Sequence, residues 1–268
     1  MKRTLVYLIL VPFMAACAHS AAVPAPSHQG SAIRRNDHFH QPIQHVVIIV
    51  QENRSFDNLF WNFPGADSTT NCALDHLGGC IQMTQQPLYQ QYDLSHSAAD
   101  CMNDYDNGAD DNWDLEPTGE KKANGWPYEA YQYTQQSDIG IYWQLASQYT
   151  LGDRMFASNC GPSFPAHQML IAGTMGYQDN PTKPWGCDNQ DFPRAQICYD
   201  YQTIGDLLDQ AGLSWKYYSP GGNGGSNPSN RLSIWQAYQA IRHIRYGQDW
   251  TNGDITDTTT FFQDASNN

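Results

Sequence analysis

The sequence predicts an α/β fold, and three observations carry that expectation. His45 to Val50 is a continuous, largely β-branched run, which suits a strand buried on both faces of a sheet. That run leads through Gln51-Glu52-Asn53-Arg54 into Phe56, Leu59 and Phe60, spaced i, i+3, i+4, so a helix is expected just after the strand. Helical periods then recur toward the C-terminus with a second apolar strand, Leu213 to Tyr218, among them. A strand, a polar turn and a helix in succession is where open α/β sheets place ligands. Two or three strands fall short of the ~5–6 of a usual sheet.

In chain order, residues 64–135 are loop-rich and carry the acidic run Asn103 to Asp114. That run lacks the D-x-[DN]-x-[DN]-G spacing with a terminal Glu, which argues against a calcium loop. Ile141, Leu145 and Tyr149 predict a helix over Asp138 to Leu151, and Thr150 to Phe156 reads as a short strand. Gly161-Pro162-Ser163-Phe164-Pro165 is a turn, followed by a helix over Ala166 to Ala172. Gln202 to Ala211 is a helix with Ile204, Leu207 and Leu208 on one face and Gly212 as its stop. After the strand at Leu213 to Tyr218 comes a Gly/Asn/Ser loop from Gly221 to Asn230, and Ile234 to Arg245 reads as helical. There is no internal repeat.

The composition narrows the function. The chain has 268 residues, 14 Lys plus Arg and 27 Asp plus Glu, for a formal net charge of -13. Such a surface repels phosphate backbones, so no nucleic-acid partner is expected. Charged residues make up 15%, below the ~25% usual for soluble domains, while aromatics reach 13%. That aromatic content disfavours disorder, because large rings can bury enough area to offset ordering entropy.

The N-terminus reads as an address. Lys2 and Arg3 precede an apolar run from Leu5 to Met14, about ten residues, which suits a signal peptide and is too short to span a membrane. Met14-Ala15-Ala16-Cys17 resembles a bacterial lipobox, with Cys17 as the lipidated residue; Ala16-Cys17-Ala18 also fits ordinary signal cleavage. The expected organisation is a leader over 1–17, a flexible tether over 18–41 and one domain over 42–268. The protein is therefore expected to be exported, as an outer-membrane or periplasmic lipoprotein held to the membrane by its lipid anchor, or else secreted. Cysteine usage agrees: besides Cys17 there are Cys72, Cys80, Cys101, Cys160, Cys187 and Cys198. Six cysteines in an exported chain allow up to three disulfides in 15 connectivities. Cys72/Cys80 and Cys187/Cys198, each closing a short loop, are the candidate pairs. No C-x-x-C pair supports a zinc site.

Two places carry candidate chemistry. Glu52 and Asn53, at the end of the first predicted strand, offer a carboxylate and an amide oxygen, hard donors suited to a divalent metal ion; the pair also reads as a helix cap beside a surface acid. Ser163 stands before a predicted helix, where free N–H groups and the dipole would stabilise a phosphate and where a metal would activate its hydroxyl; it also reads as a plain N-cap. No G-x-S-x-G elbow surrounds it, so α/β-hydrolase chemistry is not supported.

Together these stretches resemble the bacterial phosphoesterase family, which contains phospholipases C and related acid phosphatases within the alkaline-phosphatase superfamily. The resemblance rests on the run from His45 to Asp57 with its Gln-Glu-Asn-Arg-Ser-Phe-Asp string, on Asp153 to Ser158, on Gly161 to His167, on Thr203 to Leu208 and on Trp215 to Tyr218. It implies an alkaline-phosphatase-like α/β/α sandwich, of which this chain holds the N-terminal part. It also implies a metal-dependent phosphoric ester hydrolase with phosphate esters or phospholipids as substrates. By this resemblance Glu52, Asn53 and Ser163 match metal ligands, Ser163 also matches the nucleophile, and His96 matches a histidine near the substrate phosphate. Asp111 and Asp114 loosely match a Gly-x-Met-Asp-Gly region. Ala166 stands where many members carry Asn. His76, His167 and His243 are taken as structural. In the family, a later segment with a pair of acids before Gly-Gly completes the metal site, and the chain ends at Asn268 before it. The expectation is a hydrolase with an incomplete metal site; the alternative is an inactive exported lipoprotein that binds phosphorylated or choline-bearing ligands.

Overall fold

The computed structural model describes residues 43–67, 72–90, 94–116, 129–180, 186–188, 197–221 and 234–267. The leader with Cys17, the tether and most of the loop at 221–230 lie outside them. The chain divides after Val50 into two units.

In the first unit, His45 to Val50 forms no strand. The run is irregular, with Val46 79%, Ile48 74% and Ile49 82% exposed. This corrects the sequence reading. A β-branched run is a surface that fits a pleated, covered sheet, and it becomes a strand only where a ladder partner exists.

The second unit begins at Gln51. Helix α1, Phe56–Phe60, follows at once; Ser55 caps it by accepting a bond from Asn58 N at 3.1 Å. Strands β1, Ala73–Leu74, and β2, Cys80–Ile81, pair antiparallel across a turn at Asp75. Strand β3, Thr84–Gln86, runs parallel to β4, Gln132–Thr134. Between them lies α2, Ala98–Tyr105, capped by Ser97 and ended by the left-handed Asp106. Helix α3, Gln136–Gln148, comes next, then α4, Ser163–Ala172, which stops at the left-handed Gly173. Helix α5, Ile204–Gln210, opens with a full capping box between Thr203 and Asp206. Strand β5, Tyr217–Ser219, pairs in parallel with β6, Ile255–Asp257, and the short helices α6, Arg242–Arg245, and α7, Gln248–Asn252, precede β6. Helix α8, Phe261–Asn267, follows. Helices with small parallel and antiparallel pairs make this unit mixed α/β.

Several boundaries differ from the pattern. Thr150 to Phe156 is irregular, with Met155 90% and Phe156 85% exposed. The segment expected as one helix from Ile234 to Arg245 is a 3-10 turn at Ala237–Ala240, a break at Ile241 and then α6. Ile241 takes an extended conformation there, and the Tyr199 carbonyl accepts the Arg242 N–H at 2.7 Å, replacing the helical ladder with a tertiary bond. In α3 the period at Ile141, Leu145 and Tyr149 is present, but these side chains are exposed while Ile139 is buried.

The core consists of Ile171, Ala237, Tyr238, Ile241, Ile244, Trp250 and Ile255, with Trp215 and Tyr217 packed against it. Tyr238 is sandwiched by Trp215 and Tyr217, at 5.2 and 5.0 Å between ring centroids. Each fully buried aliphatic here contributes about 1.5–3 kcal/mol. The core holds α4 from one side, and Gln168, fully buried, donates to the Ala237 carbonyl at 2.9 Å. Three disulfides cross-link the unit: Cys72–Cys80, Cys101–Cys160 and Cys187–Cys198. No helix among the described residues is long and apolar enough to cross a membrane.

Candidate functional site

Ser163 is the first residue of α4, after Gly161 and Pro162. Gly161 has φ 153°, and a Cβ there would come within 3.4 Å of both Ala98 Cβ and the Gln178 carbonyl. Glycine is needed for the positive φ, and its lack of a side chain lets the turn lie close to the start of α2. The N–H of Phe164 donates to Asn180 Oδ1 at 3.0 Å, which anchors the helix start.

His167 lies four residues beyond Ser163, so the two side chains share a face one turn apart, about 5–6 Å between Cβ atoms. The ring is buried and held at both nitrogens. Nδ1 donates to the Ile234 carbonyl at 2.9 Å, and Nε2 donates to Glu52 Oε2 at 2.9 Å. The other oxygen of Glu52 accepts the indole N–H of Trp235. The His167 hydrogen bond holds the Glu52 carboxyl below its ordinary range, against the partial burial that would raise it; Trp235 and the charges of His167 and His96 act in the same direction. Glu52 is thus an ionised carboxylate clamped to the helix that begins at Ser163. Asn53 follows it in the left-handed region, at φ 68°, and is exposed.

His96 is exposed on the turn before α2 and lies near enough to Glu52 to act on its charge. The Cys101–Cys160 disulfide joins α2 to the chain just ahead of Ser163, and Gly161 packs on Ala98. The segments carrying Glu52, His96 and Ser163 therefore converge. Cys17 lies outside the described residues.

Sequence reasoning missed His167 and Trp235. The i, i+4 spacing from Ser163 was a usable signal for His167; nothing local points to Trp235. His76 and His243 pair elsewhere. His76 Nδ1 meets Asp114 Oδ2 at 2.6 Å, and His243 bridges Asp200 and Asp206 at 2.7 and 2.9 Å. Burial would lower the His243 pKa, but the two carboxylates outweigh it and raise it.

The donors fit a hard divalent cation in kind: one carboxylate, one amide oxygen and one hydroxyl. Among the described residues no three His, Cys, Asp or Glu side chains converge to hold a metal. Replacing His167 with alanine should cost about 1–3 kcal/mol, because it strands Glu52 Oε2 and the Ile234 carbonyl without their donor, leaving Glu52 only the Trp235 indole on its other oxygen. Urea unfolding measures it; a variant as stable as the parent would show that the clamp carries no weight.

Residues 43–268 match the Phosphoesterase family. The chain belongs to that family. Relatives of this phosphoesterase include "Phospholipase C B" of Mycobacterium tuberculosis, 26% identical over 199 residues, covering 66% of this chain and 38% of the relative. "Hemolytic phospholipase C" of Pseudomonas aeruginosa is 28% identical over 216 residues, covering 74% of this chain and 28% of the relative. "Non-hemolytic phospholipase C" of Burkholderia pseudomallei is 25% identical over 222 residues, covering 76% and 28%. The chain thus spans between 28% and 38% of the length of these relatives.

Proposed function

We propose that this phosphoesterase is a metal-dependent phosphoric ester hydrolase, of phospholipase C or acid phosphatase type, with Ser163 as nucleophile. The observation that carries the reading is the Glu52–His167 hydrogen bond, which ties the Glu-Asn pair to the helix that starts at Ser163. The fold proposed for it is part of an alkaline-phosphatase-like α/β/α sandwich, its domain spanning 42–268.

The Ser163 hydroxyl oxygen attacks phosphorus in line with the leaving alkoxide or phenoxide, forming a phosphoseryl ester and breaking the P–O bond to the leaving group; the hydroxyl proton passes to solvent and the departing oxygen takes one up, so that the step balances. Water then attacks the same phosphorus, restores the Ser163 hydroxyl and releases phosphate or a phospho-headgroup. The positive end of the α4 dipole favours the anionic phosphoryl oxygens. His96 donates to a phosphoryl oxygen or protonates the leaving group. Glu52, Asn53 and Ser163 would hold a divalent metal, which supplies polarisation of a phosphoryl oxygen and a lower pKa for the serine hydroxyl.

Substrates are phosphate esters or phospholipids. With a chain net charge of -13, an anionic substrate is drawn by local groups. The three disulfides fit an oxidising, exported setting. Within that setting we place the protein in the outer membrane or periplasm as a lipoprotein lipidated at Cys17, or as a secreted form. The limited acid content of the donor set favours a second reading, an exported lipoprotein that binds phosphorylated or choline-bearing ligands without turning them over.

Turnover of p-nitrophenyl phosphate and p-nitrophenylphosphorylcholine, with and without added divalent metal, separates the two. Metal-dependent release of p-nitrophenol that a chelator abolishes is the expected result. Absence of turnover under every metal tried would overturn the hydrolase and leave the binding protein.

A further inference from the structure

Beneath the turn that carries His96 lies a pair of acids with no role in the chemistry above. Asp104, in α2, is 2% exposed, and Glu116, after a 3-10 turn at Asn112–Leu115, is 9% exposed. Glu116 Oε1 accepts the Ser95 backbone N–H at 2.6 Å, one residue before His96. Glu116 Oε2 is buried, and among the described residues no N–H or O–H donor reaches it; the Asp104 carboxyl is its neighbour. From the α2 side, Ser95 and Ser97 both donate their hydroxyls to Asp100 Oδ2, the latter at 2.7 Å. The turn is thus fastened to α2 through its serines and to Glu116 through its backbone.

We infer that Glu116 is a positioning residue for His96: with Asp104 it forms a proton-sharing carboxyl pair that grips the backbone of the His96 turn. The inference rests on the assignment of His96 to the phosphate under the proposed function.

Two carboxylates present only acceptors to each other, so a bond between them requires one proton. Burial first, then the Asp104 carboxyl, push Glu116 up to about 8. Burial raises Asp104 as well. The groups acting on the pair are Asp100 and Asp110, which raise it, and the Asn103 amide and the Ser95 N–H, which lower it; none is a cation. Once pH passes about 8, two buried charges stand side by side, and their repulsion pushes Glu116 off the turn against the pull of the Ser95 N–H, which favours its charged form. The stability linkage has the same sign. A raised carboxyl keeps a proton in the native state that the unfolded chain has released, so this stability is present at acid pH and falls from the ordinary 4.5 up through about 8.

The test is the pH profile of p-nitrophenyl phosphate turnover for the parent chain, Glu116→Gln and Asp104→Asn, with circular dichroism to check folding. Glutamine keeps the oxygen for Ser95 and offers Asp104 an N–H₂ in place of the shared proton. In the parent, kcat should fall about 10-fold or more above the pair's titration while KM moves little, because a displaced catalytic group costs turnover before binding. In Glu116→Gln that alkaline limb should disappear or move up by at least about one pH unit. If Glu116→Gln does not fold, Asp104→Asn, which supplies the donor from the other side, carries the same expectation. A limb unchanged in the folded variant overturns the inference. A second arm needs no turnover: hydrogen exchange of the Leu94–Ser97 segment, corrected for intrinsic rate, should lose protection above about pH 8 in the parent and keep it in the variant. Protection that persists in the parent at high pH also overturns the inference. If the exchange arm behaves as expected but the parent shows no turnover, the grip on the turn stands, and the hydrolase reading falls together with the catalytic role of His96.

Discussion

Ser163→Ala should lower turnover of p-nitrophenyl phosphate by about 10⁴-fold or more, the scale on which removing a covalent nucleophile acts. The variant removes one oxygen at the first position of α4 and leaves its surroundings in place. The helix is capped by backbone at Pro162 and anchored by Asn180 on the Phe164 N–H. The Glu52–His167 bond does not involve the serine. Stability should therefore change by no more than about 0.5 kcal/mol, as for a substitution away from a cap or packed core. That contrast between lost turnover and an unchanged urea midpoint separates a nucleophile from a structural serine. Acid quenching of the parent during turnover, followed by peptide mass analysis, should find phosphate on the peptide that contains Ser163 and none on the alanine variant. Turnover within tenfold of the parent would remove Ser163 from the nucleophile's role and direct the search to another oxygen.

Unlinking Cys101 from Cys160, as the double alanine variant, should cost more stability than unlinking either of the other pairs. The reason is loop closure. Cys101–Cys160 spans 59 residues, against 8 for Cys72–Cys80 and 11 for Cys187–Cys198. In the chain-entropy account the long loop contributes about 4 kcal/mol and the short ones about 2.5–3 kcal/mol each. The same variant should lose turnover beyond its loss of stability, because the bridge ties the helix after His96 to the turn before Ser163. Urea unfolding and kcat, measured on all three double variants, check both statements. If the 59-residue link cost no more than the short ones, the loop-entropy argument would fail here. If kcat were unchanged in the folded variant, the tie between the two segments would carry no catalytic weight.

Legibility in the sequence followed the range of the interaction. Ser55, Ser97 and Thr203 cap their helices with groups three residues away; the helices after Ser55 and Thr203 were readable from pattern, while α2 after Ser97 stands in the stretch read as loop-rich, where no apolar period marks it. The turn at Gly161-Pro162-Ser163 was readable because glycine and proline punctuate it locally. The α3 period was equally readable, yet Ile141 and Leu145 are exposed, since a stripe shows that a face exists and not what covers it. The run at Val46 to Val50 makes the same point for a strand. Where Ile234 to Arg245 looked like a single helix, a bond from the Tyr199 carbonyl to Arg242 decided otherwise.

By itself, then, the sequence determined an acidic, cysteine-bearing chain with the phosphoesterase signature, its local caps and turns, and the Glu-Asn and Gly-Pro-Ser stretches as candidate chemistry. Only the tertiary structure decided that Glu52 meets His167 across 115 positions and Trp235 across 183, and that Glu116 lies under Ser95 across 21. Caps, turns and periods are set by neighbours within a turn or two of chain, so they leave a mark in the local pattern. The choice of partner for a buried carboxylate is made by packing after the chain has folded, and no spacing along the sequence records it.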